Sequence, residues 1–370
     1  MNPSRALRAD LTGMLVCVAA LAVIGLLMGL SVAPPGEGWA RLGTHSIHLA
    51  LGMGAFLAAT AVPVAQVRRV LPGLTFLVFG VLLAMLALPG FGHESHAATR
   101  WVMIGSQPIQ PSVLLQCLWP AVVASWIAED PLRARQGEAI AKLMAVFTVL
   151  VAPVLLQPDL GSVVILATAT GMLFFFAGAP MTILRYLVPA IIGALAVAVL
   201  LFDHVDARIA AFVQGEVGLQ ASRALDAFAV GGLSGAGPGL GTMKMGWVPE
   251  GETDYVLSLI AEEWGLIGTL AIWCLYVVFT LFGVRAARRA ESRYAALLLA
   301  GATLMVSIQA ALNMAVVTGL VPPKGLPLPF VSRGGSSILS LSALLGLAVS
   351  AAWRPAARSA PAAALNPTNP

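Results

Sequence analysis

The chain has 370 residues, 59% of them hydrophobic and only 10% charged, with a formal net charge of +4. A soluble domain carries roughly a quarter charged residues, so the composition excludes an ordinary water-soluble fold. The basic residues are scattered over the ends of apolar runs rather than gathered in one patch, which gives no reason to expect a nucleic-acid partner.

A membrane-spanning helix needs about 20 apolar residues. Ten runs approach that length: 11–32, 47–66, 71–90, 111–128, 139–156, 161–178, 181–202, 255–283, 294–319 and 336–353. Backbone groups in a bilayer must be paired internally, so the runs are predicted to be helices, and the alternation expected of barrel strands is absent. The predicted fold class is therefore all-α, a polytopic membrane protein with one integral-membrane domain over residues 1–353. The first run has no Ala-x-Ala exit and is long enough to span, so it reads as a retained helix. Residues 203–254 form a long loop, and 354–370, rich in Ala, Pro and Asn, read as a short disordered tail. Cys17, Cys117 and Cys274 lie in apolar runs without CxxC spacing, which favours neither a disulfide framework nor a zinc site.

Lysine and arginine placement sets the expected orientation. With the N-terminus inside, fourteen of the 21 basic residues fall on the inner side and seven on the outer. Both termini are then cytoplasmic and the 203–254 loop is outside. The outer basic residues run against the rule, and nearly all sit in unusual loops: Arg100–Ser112, Gln157–Gly161, the long loop, and Pro322–Ser337. Proline and glycine open backbone groups that must find partners, and irregular backbone at membrane depth is tolerated where it lines a wet cavity. Four such segments on one side predict one outward cavity.

The most informative stretch is Gly231–Gly265. It is glycine-rich and acidic, and it places Lys244, Glu250, Glu252 and Asp254 just before a new apolar run. Charged groups at the edge of a bilayer are costly unless they line a cavity or do chemistry. A carboxylate there, near a lysine and a glycine loop, points to a charged substrate carried on a lipid. Asp254 has a simpler reading too, as the N-cap of the following helix. Gln157, Pro158 and Asp159 read either as ties across a helix break or as substrate contacts. Trp101 reads as an interfacial anchor or as a cavity residue. Glu262 and Glu263 read as functional acids or as interhelical ties, and Arg223 as a loop brace through Asp226. His93, His96 and His204 have no metal-ligand spacing.

QPS at Gln110–Ser112, QPDLG at Gln157–Gly161, GAGPGLGTMK at Gly235–Lys244, PEGETD at Pro249–Asp254 and PKGLPLPF at Pro323–Phe330 together resemble the SEDS family of FtsW, RodA and SpoVE proteins. The motifs occur in the family's order, and RALDAF at Arg223–Phe228 is more similar to its division branch. The resemblance implies a peptidoglycan glycosyltransferase in the bacterial cytoplasmic (inner) membrane. Its substrate would be lipid II, polymerised in β-1,4 linkage on the outer side with loss of undecaprenyl diphosphate. Its partners would be a class B penicillin-binding transpeptidase and other division proteins.

By the same resemblance Asp254 is the catalytic carboxylate. Arg100, Trp101, Gln110, Asp159, Lys244, Glu250, Lys324 and Ser332 are the candidate substrate-binding residues, with Lys244, Arg100 and Lys324 meeting the diphosphate. No metal ligand set is assigned, and a divalent cation held by a carboxylate is left open. The chain departs from the family pattern at Val113, Gln116, Leu240, Glu252 and Arg333. Val113 and Gln116 replace an acid and a lysine, and Arg333 and Glu252 together offer a different ion pair. A lipid II transporter and a non-catalytic scaffold are the alternatives to the enzyme.

Overall fold

The computed structural model describes residues 3–32, 38–88, 90–95, 98–105, 107–183, 210–215 and 218–353, with isolated positions between 185 and 207. The described residues form ten α-helices: α1 Pro3–Ser31, α2 Gly38–Ala61, α3 Val64–Ala87, α4 Pro111–Glu129, α5 Gly137–Leu156, α6 Leu160–Phe176, α7 Leu219–Gly231, α8 Val256–Arg289, α9 Arg293–Val317 and α10 Gly335–Trp353. Eight are long and apolar enough to cross a membrane, and α6, at 17 residues, is a shorter apolar helix. The protein is a multi-pass membrane protein. Most of the predicted span 181–202 and all of the tail 354–370 lie outside the described residues, as do His96 and His204.

The sequence explains where the helices begin. Pro63 precedes α3 and Pro111 opens α4, positions where proline's missing N–H costs nothing. Asp159 caps α6 by accepting from the Ser162 N–H. Two helices start well before their apolar runs. α2 takes in Arg41 and His45, and α3 takes in Arg68. Each added turn has a polar partner: Arg41 bonds Glu252, and Arg68 bonds Ser125 and Glu129 and lies over the Tyr294 ring. Hydropathy alone misses such turns because their polar side chains are paired.

α4, α9 and α10 form the centre of the bundle, with 67%, 67% and 72% of their spanning windows buried against 11% for α2. α2 packs chiefly on α10, and α1 on α8. Bonds from Ser112 and Lys324 to Asp159, and from Arg333 to Glu252, bring the turns before α4, α6, α8 and α10 to one end of the bundle, hereafter the loop face.

Two features of that face were not expected from the sequence. Residues 93–109 form a small antiparallel sheet of β1 His93–Ser95, β2 Ala98–Ile104 and β3 Gln107–Ile109, in the order β1-β2-β3. The long loop contains α7, braced by Arg223, which pairs with Asp226 and lies over the Trp247 ring. The pair with Asp226 lies within α7 itself, so the contact that reaches the rest of the loop is the one with Trp247.

Candidate active site

Three of the loop-face segments meet at Asp159. Its buried carboxylate accepts hydrogen bonds from Ser112 Oγ at 2.8 Å, Gln110 Nε2 at 3.0 Å and Ser162 Oγ at 2.6 Å. Lys324 Nζ stands 3.4 Å from its other oxygen. Strand β2 carries Arg100 to the same place, where its guanidinium donates to the carbonyls of Gln157 and Pro158 at 2.8 and 2.9 Å. Those donors satisfy carbonyls freed where α5 ends. Burial works to raise the Asp159 pKa. The Lys324 charge, the Ser162 bond, the Arg100 charge and the Ser112 bond outweigh it, and the carboxyl sits below its usual value. Asp159 is thus an ionised hub whose oxygens are engaged by the protein itself, which supports the tie reading.

A second cluster holds the glycine loop. α8 is broken at Gly265, whose φ of 66° is in the left-handed region open to glycine. Residues 231–237 fill the break: Ala236 and Gly237 donate to the carbonyls of Glu262 and Glu263, and Leu266 donates to Gly232 O. The Glu262 side chain accepts from the N–H groups of Thr242 and Met243, at 2.6 and 3.1 Å. Glu263 accepts from Gly239 N at 2.9 Å and from Ser31 Oγ at 2.6 Å. Lys244 closes the cluster at 3.0 Å from Glu263, with its side chain 9% exposed, and it also donates to Gly239 O at 2.6 Å. Glu262 and Glu263 are therefore ties, and Lys244 is an internal counter-ion rather than a displayed cation.

Asp254 is placed differently. The N-cap of α8 is Tyr255, not Asp254, so the capping reading falls away. Its hydrogen bonds run through its backbone: its N–H donates to Glu250 O at 3.0 Å, and its carbonyl accepts from Asn313 Nδ2 at 2.7 Å. Asn313 also donates to Leu326 O, which pins the PKGLPLPF loop beside it. Gly325 lies so close that a Cβ there would stand 2.6 Å from Asp254 Oδ2. Among the described residues no hydrogen bond or ion pair reaches the carboxylate itself. Burial, then the charge of Glu250, pushes its pKa up to about 7. Glu250 is exposed, with a left-handed φ of 56°, and accepts from Thr253 Oγ1 at 2.8 Å.

The remaining candidates separate clearly. Gln110, Arg100 and Lys324 join the Asp159 cluster, and Lys324 is next in sequence to the glycine against Asp254. Trp101 is half-buried on β2, opposite His93. Ser332 is buried, its Oγ accepting from Leu328 N at 2.7 Å; it holds a turn. Of the departures from the family pattern, Gln116 is buried with an unpartnered Oε1. Glu252 and Arg333 do pair, at 2.9 Å, and Arg41 joins them at 2.6 Å. Arg41 and Asn313 are the site residues the sequence reading did not single out. The only signal for either is a polar group inside or beside an apolar run.

Among the described residues no three His, Cys, Asp or Glu side chains converge to hold a metal ion.

Residues 9–355 match the family model described as Cell cycle protein, of the FtsW, RodA and SpoVE type. The chain is 32% identical over 346 residues to a protein of Caulobacter vibrioides named probable peptidoglycan glycosyltransferase FtsW, covering 91% of this chain and 87% of that one. It is 32% identical over 365 residues to the protein of the same name from Geobacter metallireducens, covering 94% and 95%. Among solved structures it resembles a chain from a peptidoglycan synthase complex that coordinates polymerization and crosslinking, with a TM-score of 0.76, 24% identity, and 91% and 96% of the two chains covered. It also resembles the rod shape determining protein RodA of Thermus thermophilus, with a TM-score of 0.65, 24% identity, and 91% and 95% covered.

Proposed function

The chain belongs to the FtsW, RodA and SpoVE family of cell cycle proteins, and from that premise we propose that it is a peptidoglycan glycosyltransferase with Asp254 as its general base. The substrate is lipid II, and the product is a glycan strand. The acceptor sugar hydroxyl gives its proton to an Asp254 carboxylate oxygen as its own oxygen attacks the anomeric carbon of the donor. The bond from that carbon to the diphosphate breaks, and the electron pair leaves on the diphosphate.

One observation carries this reading. Asp254 is a half-buried carboxylate whose pKa is about 7, on a loop pinned through its backbone with its oxygens unengaged. A base works best when its pKa lies near the working pH. The leaving diphosphate gains charge, which fixed cations stabilise. Lys324, 18% exposed in its side chain, serves here, with Arg100 behind it as a positioning residue. Asp159 holds Lys324 in place, and Gln110 and Ser112 hold Asp159. The closed pair of Lys244 and Glu263 is read as loop structure instead.

The reading extends to setting. The protein is one integral-membrane domain in the bacterial inner membrane, with both termini cytoplasmic and the loop face outside. It works in cell division beside a class B penicillin-binding transpeptidase. The test is labelled lipid II given to purified protein, with and without that partner. Parent protein makes polymer, and Asp254→Asn, folded, does not. Lipid moved across vesicles without polymer would favour the transporter, and neither activity would favour the scaffold.

A further inference from the structure

The end of the bundle opposite the loop face holds a cleft that the chemistry at Asp254 does not use. It opens between the first turns of α1 and the last turns of α8 and α10, with a volume of about 210 Å³. Arg8, Arg289 and Glu291 line it with Trp353 beside them, and Leu7 and Leu11 form its apolar wall. About 10–15 Å³ of accessible space holds one water, so this cleft has room for a phosphate group.

The two arginines are held from behind. Arg289 Nη1 donates to the buried Asp10 carboxylate and, at 3.3 Å, to the Ala6 carbonyl. The Arg289 side chain is still 43% exposed, and a guanidinium has five N–H donors, so most of its fork is left for the cleft. Arg8 lies over the Trp353 ring, 5.2 Å from its centroid. Among the described residues no hydrogen bond or ion pair engages its guanidinium. Stacking on a ring fixes the plane of a guanidinium and leaves its edge donors open. Arg5, Arg285 and Arg288 stand exposed at the same end. The five arginines of α1 and α8 thus outnumber the acids beside them, Asp10 and Glu291. Orientation in a membrane accounts for that excess of charge, but not for a cleft with an arginine stacked at its side.

We propose that this cleft seats the headgroup of an anionic phospholipid. Guanidinium groups bind phosphate oxygens through paired bonds, and Arg8 and Arg289 offer such donors from two helices. Trp353 is 57% exposed at the end of an apolar spanning helix. A tryptophan so placed sits at the membrane–water interface, which sets the phosphate at headgroup depth. Leu7 and Leu11 give the acyl side its apolar wall. Basic pockets between spanning helices suit anionic headgroups. Glu291 opposes the anion and limits its affinity. A lipid held here joins the ends of α1, α8 and α10. The site shares no residue with Asp254 or the Asp159 hub, and it stands without the catalytic reading.

The experiment titrates the full chain in neutral detergent with phosphatidylglycerol, or with phosphatidylcholine of the same acyl chains, and counts bound lipid by native mass spectrometry. Glycerol phosphate serves as a soluble competitor. The parent retains phosphatidylglycerol in preference to phosphatidylcholine, and its melting temperature rises with phosphatidylglycerol, as for any ligand of the folded state. Arg8→Gln weakens phosphatidylglycerol about tenfold or more. Arg8 is exposed, so this variant folds, whereas a change at Arg289 would strand the buried Asp10. Glu291→Gln tightens the same lipid. Arg285→Gln removes an equal charge outside the cleft and changes binding about twofold or less. Glycerol phosphate does not displace the lipid.

Equal losses in Arg8→Gln and Arg285→Gln would mean a diffuse basic surface, and the proposal falls. Equal retention of phosphatidylcholine also overturns it, as does displacement by glycerol phosphate, which would make the cleft a site for a free phosphate. Trp353→Leu keeps the apolar surface but releases Arg8, and it should weaken phosphatidylglycerol less than Arg8→Gln does. Unchanged binding in both variants removes the stacked arginine from the site and the site with it. The binding pattern in a parent protein that makes no polymer upholds the lipid seat and leaves only the catalytic reading to fall.

Discussion

Asp159 and Asp254 lie on the same face of the bundle, in motifs of similar appearance, yet their surroundings are opposite. Asp159 takes bonds from Gln110, Ser112 and Ser162 and an ion pair from Lys324. Those partners hold its carboxyl below the usual pKa. Asp254 is held by its backbone, and its carboxyl is pushed up to about 7. A fully satisfied buried charge builds structure. A carboxylate whose basicity is raised and whose oxygens are left open can take a proton. The contrast shows that a motif acid acquires its role from its partners, not from its place in the motif.

The strongest test of that contrast exchanges each acid for its amide. Asp254→Asn is expected to lose about two orders of magnitude or more in polymerisation rate while staying folded. Its thermal stability at pH 8 should equal or exceed the parent's. A group whose folded pKa is raised opposes folding once ionised, so the gain opens above the unfolded carboxyl pKa and is complete above about 7. Asp159→Asn should do the reverse and destabilise the protein, because Lys324 loses its counter-ion and removing one partner of a buried pair costs about 3–5 kcal/mol. Melting curves and turnover on the same preparations decide it. A stable Asp159→Asn protein with unchanged melting would erase the distinction.

Much of the architecture was legible in the sequence because a bilayer allows so few solutions. Runs of apolar length become helices, and nine of the ten predicted spans fall on described helices. The polar first turns of α2 and α3, the break at Gly265 and the small sheet were not legible. The turns and the break depend on partners far along the chain, such as Glu252 for Arg41 and Glu262 for the glycine loop, while the small sheet is a local pairing of short strands. The site was legible as a set of motifs. Its division of labour was not: the glycine loop suggests a displayed cation at Lys244, whereas Glu263 lies 3.0 Å from it. The pairing of Glu252 with Arg333 was anticipated, because opposite charges stand at two outer-side departures from the family pattern.

A smaller change probes the position of the Asp254 carboxylate without touching its chemistry. Gly325→Ala would put a methyl group 2.6 Å from Oδ2, so the carboxylate must move. A misplacement near 1 Å can cost up to about 10²-fold in rate, and a loss of roughly tenfold is expected for a shift that side-chain rotation partly absorbs. Because Asn313 still ties both loops, melting should stay near the parent value. Equal losses of rate and stability would mean that Gly325 serves the fold rather than the acid.

The smallest expected effect concerns the charge beside the base. With Asp254 as the proposed base, polymerisation needs its ionised form, so the rate of the parent should fall as pH drops through about 7. Burial is the larger cause of that value, and the Glu250 charge is the second. Glu250→Gln removes only the second cause, so the acid limb should move to lower pH while remaining above the range of an ordinary carboxyl. The plateau rate at high pH should change less than in Gly325→Ala, because Glu250 holds Asp254, Thr253 and Tyr255 through its backbone carbonyl, which glutamine retains. The sign is what matters. Movement of the limb to higher pH would mean that Glu250 does not act on Asp254 through its charge. A limb that does not move at all would assign the titration to another group and leave Asp254 without its claim to be the base.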